Sequence, residues 1–181
     1  MRRIEKQTIG SGDWLTLARI YYEGHDGVTR TWETVNRKNS RGAVGILATM
    51  KDSGEIVLIR QYRPPLDRFA IEFPAGLIDD GEEPGEAALR ELREETGIVA
   101  APEEFELLDA CTERGTHYDH YCLHRDSSKV KVTLQPGETD GVQWATFEAV
   151  HEMIRTREIC KVIGKQFLRH EPMLLARQLK D

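Results

Sequence analysis

Glu91, Glu94 and Glu95 crowd into the run Arg90-Glu91-Leu92-Arg93-Glu94-Glu95-Thr96-Gly97. On an α-helix, which turns about 100° per residue, their side chains fall within an arc of roughly 100°. Gly85, Ala88, Leu89 and Leu92 take the neighbouring face, so one side packs while the other presents three acids. Like charges at this spacing destabilise a bare helix, and the cluster calls for a cation. Carboxylate oxygens with no histidine or cysteine among them are hard ligands that favour Mg²⁺ or Mn²⁺, ions that also bridge phosphate oxygens. Gly76, just upstream, would let a backbone approach such ions closely. The bland alternative for the three acids alone is a solvated helix face.

The elements that must position these residues are legible from punctuation and periodicity. Pro84 suits a first helical turn, Glu82, Glu83 and Glu86 complement the helix dipole there, and Gly97 supplies a stop, which predicts a helix over 84–96. Residues 13–22 and 28–36 are rich in β-branched and aromatic types and flank Gly24-His25-Asp26-Gly27, the pattern of a hairpin. The apolar runs 43–50 and 55–62 are expected as buried central strands, with a short strand from Phe69 to Phe73 after Pro64-Pro65. Further strands are expected at 106–112, 117–124, 130–134 and 142–146, and helices at 147–156 and 159–179. The alternation of types predicts an α+β chain.

Bulk composition narrows the partners. A chain of 181 residues, 39% hydrophobic, can bury one sizeable core. Its net charge of -6 comes from 31 acids against 25 bases, and the bases are scattered, so neither a nucleic-acid coat nor a membrane patch is expected. The expected partner is a small molecule. No stretch approaches the roughly 18 apolar residues of a membrane span, and the start lacks the apolar run of an export signal, so the expectation is a soluble, cytoplasmic chain. Cys111, Cys122 and Cys160 form an odd set without Cys-x-x-Cys spacing, which reads as reduced thiols rather than a disulfide framework or a thiolate metal site. Of His117, His120 and His124, only the last two would share a strand face, roughly 13 Å apart and too far to chelate one ion directly.

The run from Gly76 to Ile98 matches every position of the Nudix box, Gly-x5-Glu-x7-Arg-Glu-U-x-Glu-Glu-x-Gly-U, with Leu92 and Ile98 as the aliphatic U. From average residue usage such a match should arise by chance less than about once in a million chains of this length, which outweighs the solvated-face reading. The chain therefore resembles Nudix hydrolases. That resemblance implies a Nudix fold, an α/β/α sandwich around a mixed sheet. It also implies metal ions held by Glu91, Glu94, Glu95 and the Ala75 carbonyl, with Glu82 and Arg90 supporting the loop-helix geometry. Glu94, Glu95 and Arg90 are then the box residues assigned to catalysis. A diphosphate repels an attacking oxygen, so cations must neutralise it, acidify a bound water and hold the leaving oxygen, while a carboxylate takes the proton. In the family that base lies in the box helix or in a later loop. Here the loop is 135–141, with Glu138 first and Asp140 second, and ordinary turn residues as the alternative.

The resemblance extends to the ADP-ribose and ADP-sugar diphosphatase subfamily through Arg30-Thr31-Trp32-Glu33, Gln61-Tyr62-Arg63-Pro64-Pro65 and the segment from Glu72 to Glu82. It implies that residues 1–40 are strands that swap in a homodimer and help bind the base, and that 41–181 form the hydrolase domain. Trp14 and Trp32 would stack the nucleobase, worth about 1–3 kcal/mol per stacked base; core or interface packing is the simpler reading without the family. Arg37 and Arg63 would reach the diphosphate or ribose, for which a planar guanidinium is suited. Substrate contacts are further implied at Ala75, Leu77 and Glu113. One departure matters: Arg114 stands where the subfamily carries a proline. Related nucleoside diphosphate sugars, such as GDP-mannose or ADP-glucose, therefore stay open beside ADP-ribose. Other Nudix substrates (dinucleoside polyphosphates, coenzyme A, capped RNA) and a non-catalytic nucleotide-binding module are the rival readings.

Overall fold

The computed structural model describes residues 1–38, 41–113, 115–134 and 139–179. Two compact units emerge, Met1–Ser40 and Arg41–Asp181. In the first, β1 (Arg2–Ser11), β2 (Leu15–Glu23) and β3 (Thr29–Arg37) form an antiparallel sheet in the order β1-β2-β3. The β2–β3 hairpin is the one the sequence predicts, with Ile20 opposite Trp32. Gly27 closes its turn at φ 74°, and the Asp26 carboxylate accepts the Val28 amide and the Arg30 guanidinium. β1 was not foreseen. Nearly all of its residues are exposed, so neither face selects apolar types and no period-2 pattern is written into it.

The second unit is built on β4 (Ala43–Met50), β5 (Ile56–Arg63), β6 (Arg68–Glu72), β7 (Ala75–Leu77), β8 (Phe105–Glu113), β9 (Thr116–Arg125) and β10 (Gly141–Ala145). The strand order is β10-β5-β4-β9-β8, with β6 on β5 and β7 on β4. β4 and β9 run parallel and the other pairs antiparallel, so the sheet is mixed. On one face α1 (Pro84–Thr96) packs Ala87, Ala88 and Leu92 against Val44, Ile46 and Ala48. On the other, α2 (Phe147–Thr156) and α3 (Lys161–Gln178) bring Phe147, Val150, Phe167 and Leu174 onto Leu47, Ile56 and Leu58. Helices on both faces make this the expected α/β/α sandwich around a mixed sheet, and they explain why β4 reads as a continuous apolar run: it is covered on both sides.

Two expectations need correcting. Residues 130–134 form no strand; they pass the C-terminal end of α1, where the Thr133 amide donates to the Thr96 carbonyl. The final helix starts at Lys161 rather than 159, because Ile159 is taken by a bridge to Ile71. The three-residue β7, for which no strand was expected, forms because Ala75, Gly76 and Leu77 pair with the N-terminal half of β4. Among the described residues, no helix is long and apolar enough to cross a membrane.

Candidate active site

β7 and α1 meet face on. A Cβ added at Gly76 would lie 1.8 Å from Glu91 Oε1, so only glycine allows the Glu91 carboxylate to lie against the strand. α1 is held in register by its ends. Pro84 opens it, the Glu83 amide donates to Glu86 Oε2 at 3.2 Å, and Gly97, at φ 74°, donates its amide to the Arg93 carbonyl at 2.8 Å.

Arg90 organises the acids. Its Nε and Nη2 donate to the two oxygens of Glu82 at 2.9 and 3.0 Å, and Nη2 also donates to the Leu77 carbonyl at 2.9 Å. Nη1 donates to Glu91 Oε1 at 2.7 Å and Glu94 Oε2 at 3.1 Å. One guanidinium thus ties the loop acid, β7 and two helix acids together, and it partly answers the like-charge repulsion that the sequence poses. Its hydrogen bonds hold Glu82 below the usual carboxylate range.

Glu95 is set differently. It is 5% exposed, and its Oε2 accepts the Ala75 amide at 2.9 Å. Burial pushes its carboxyl up to about 8, with Glu91 and Glu72 adding to the rise while the Ala75 amide and Arg63 oppose it. Glu91, Glu94, Glu95 and the backbone at Ala75 offer only oxygen donors, a set that fits a hard divalent cation.

Arg63, at the end of β5, is held by Glu72 of β6; its Nε donates at 3.1 Å and Nη2 contacts the second oxygen. Glu72 lay inside a segment that the sequence reading quoted but did not assign a role, and only the β5–β6 pairing shows that it carries Arg63. Thr139 was also missed. Its hydroxyl donates to the Glu95 carbonyl at 3.0 Å, and the neighbouring Asp140 accepts the Tyr62 amide at 3.1 Å. Asp140, the second choice for a base, is therefore engaged in pinning its segment to β5. Glu138 and Arg114 lie outside the described residues.

Glu113 ends the edge strand β8, two strands from β4, and faces Arg169 of α3 at 3.9 Å rather than the box acids. In the Met1–Ser40 unit, Trp14 and Trp32 are 73% and 66% exposed, and Arg37 ends β3 opposite Leu15.

Residues 39–161 match the family model described as NUDIX domain. The chain belongs to the NUDIX domain family. Over 99 residues it is 40% identical to the ADP-sugar pyrophosphatase of Mus musculus, covering 51% of this chain and 45% of the relative. It is 41% identical over 99 residues to the ADP-ribose pyrophosphatase of Bacillus subtilis, covering 55% of this chain and 51% of that one. Against the ADP-ribose pyrophosphatase of Saccharomyces cerevisiae, identity is 45% over 92 residues, covering 46% of this chain and 40% of the relative. This chain thus spans about half the length of the curated relatives it matches. A solved structure described as the crystal structure of an ADP compounds hydrolase agrees in fold, with a TM-score of 0.72 at 20% identity over 99% of this chain and 95% of that one. In this NUDIX chain, Gly76, Glu82 and the α1 acids all lie inside the matched span, and their oxygen donors suit a divalent metal.

Proposed function

We propose that the chain hydrolyses the diphosphate bond of ADP-ribose or a related nucleoside diphosphate sugar, giving a nucleoside monophosphate and a sugar phosphate. The observation that carries this is the placement of Glu91 and Glu95 against the β7 backbone, made possible by Gly76, with Glu94 joined to Glu91 through Arg90. The pyrophosphatase relatives supply the substrate class. Mg²⁺ or Mn²⁺, held by the three glutamates and the Ala75 carbonyl, would neutralise the diphosphate and acidify an attacking water.

The chain's own residues do the rest. Arg90 keeps Glu91 and Glu94 oriented, with Glu82 anchoring its far side. Arg63, steadied by Glu72, presents its remaining guanidinium edge to phosphate or ribose oxygens. Ala75 and Leu77 line the strand on which the diphosphate rests. Glu138 takes the proton from water, or a box glutamate does so; its sequence neighbour Thr139 donates to the Glu95 carbonyl. Trp14 and Trp32 stack the base, and Arg37 reaches the ribose or diphosphate. In this reading the Met1–Ser40 strands act within a homodimer.

A panel of nucleotide sugars with Mg²⁺ or Mn²⁺, products identified by mass spectrometry in ¹⁸O-labelled water, tests the proposal. The expected result is AMP and ribose 5-phosphate from ADP-ribose, with one labelled phosphate. Preferential cleavage of dinucleoside polyphosphates, coenzyme A or capped RNA would overturn the substrate class. Glu94→Gln should cost orders of magnitude in rate while retaining nucleotide binding; turnover in neither form would make the chain a binding module.

A further inference from the structure

A second group of ligand-type side chains lies on the α3 face of the sheet, across from α1. His120 Nδ1 of β9 and His170 Nε2 of α3 approach the same oxygen, Asp109 Oδ1 of β8, at 2.8 and 2.9 Å. The two rings are 4.8 Å apart between centroids. An Asp109 oxygen, Cys111 Sγ and a His120 nitrogen lie within 4.8 Å of one another. His120 and His170 are 2% and 1% exposed, and His120 Nε2 is buried with no hydrogen-bond partner. The Arg169 guanidinium reaches the other Asp109 oxygen, but its side chain is 46% exposed and can turn to water without leaving a buried charge.

His170 fixes the chemistry. Its Nδ1 lies 2.8 Å from the Gln166 carbonyl, which can only accept, so that nitrogen carries the hydrogen. Its Nε2 lies 2.9 Å from a carboxylate oxygen, a contact closed either by a second ring proton or by a metal cation between the two atoms. A ring that donates its far N–H to a backbone carbonyl is also how metal-bound imidazoles are oriented. Oxygen, sulfur and two nitrogens are a mixed donor set, unlike the all-oxygen set on α1, and they suit an ion that accepts imidazole and thiolate in tetrahedral geometry.

We propose that Asp109, Cys111 and His120, with His170 on the same Asp109 oxygen, form a second cation site, for a divalent ion of the Zn²⁺ type, that ties β8 and β9 to α3. The site is independent of the hydrolytic reading. Co²⁺ added to metal-free protein should give the near-ultraviolet thiolate-to-metal absorption and the visible bands of a tetrahedral centre. Cys111→Ser should abolish the thiolate absorption and lower Zn²⁺ affinity at least about tenfold. Cys160→Ser should keep the absorption, as should Glu94→Gln, whose cluster contains no sulfur. Thermal melts add a readout without colour: Zn²⁺ should raise Tm in the wild type and much less in Cys111→Ser or His170→Gln. A folded wild type without the charge-transfer band, a band that survives Cys111→Ser, or equal Zn²⁺ stabilisation of all variants would overturn the proposal in favour of imidazole protons shared with the Asp109 carboxylate.

Discussion

At the scale of single residues, what sets this site apart from an acidic helix surface is the room left for it. The Glu91 carboxylate occupies the volume that a Gly76 side chain would need. Gly76→Ala would push against the far end of a flexible side chain, so the fold survives while the carboxylate moves. A misplacement of about 1 Å in a catalytic constellation costs roughly 100-fold, and that loss in kcat/KM is expected with little change in Tm. Unchanged turnover would show that Glu91 is not needed in its observed position. Arg90→Lys keeps the charge and loses the fork. A lysine cannot span Glu82, Leu77, Glu91 and Glu94 together, so stability should drop by about 1.5–3 kcal/mol, as for lost hydrogen bonds to charged groups, and the rate at saturating metal should fall with it. A denaturant melt and a rate assay check both. These residues were legible in the sequence because their spacing along one helix and its approach loop is itself the geometry. Glu72 and Thr139 were not, since their partners Arg63 and Glu95 are brought to them only by strand pairing and by the return of the chain beside α1.

At the scale of elements, legibility followed burial and punctuation. α1 runs over 84–96 as predicted, because Pro84 and Gly97 mark both ends and its inner face is apolar. β4 runs over 43–50, a buried strand whose composition leaves no other assignment. β1 was invisible because an exposed strand has no face to declare, and the apparent strand at 130–134 failed because its backbone bonds to the end of α1, through the Thr133 amide and the Thr96 carbonyl, instead of to a strand. The second cation site was hidden for a related reason. Its members come from β8, β9 and α3, so the cysteine and histidine spacings along the chain say nothing of it. The end of α1 offers a direct test. Gly97 sits at φ 74°, and a Cβ there would stand 2.5 Å from both the amide nitrogen and the carbonyl oxygen of Thr133. Backbone cannot yield as a side-chain tip can. Gly97→Ala should cost at least about 1–2 kcal/mol from the left-handed conformation alone, more with the clash, and lower Tm accordingly. An unaltered melt would mean that residues 130–134 do not pack as described.

At the scale of the whole chain, the two units differ in how they are held together. The Arg41–Asp181 unit has apolar cores on both faces of its sheet. The Met1–Ser40 unit is a three-stranded sheet in which Ala18 is the one buried apolar residue among the described residues, while Ile4, Leu15, Trp14, Trp32 and Val35 are exposed. Trp32, opposite Ile20, lies on one face of this sheet and Leu15 and Val35 on the other, so its exposed apolar surface is divided between two faces. The homodimer under the proposed function would cover it, and would explain why Trp32 is spared from the core. Sedimentation at micromolar concentration should therefore give twice the chain mass, and removal of residues 1–40 should give a folded monomer that keeps the α1 acids but has lost its base contact. Trp32→Ala separates the two roles: loss of a stacked base, about 1–3 kcal/mol, predicts a KM raised roughly 5- to 150-fold with kcat and dimer mass unchanged. A monomeric full-length chain with full activity would remove the dimer from the mechanism, and a Trp32→Ala protein with unaltered KM would remove the indole from the substrate.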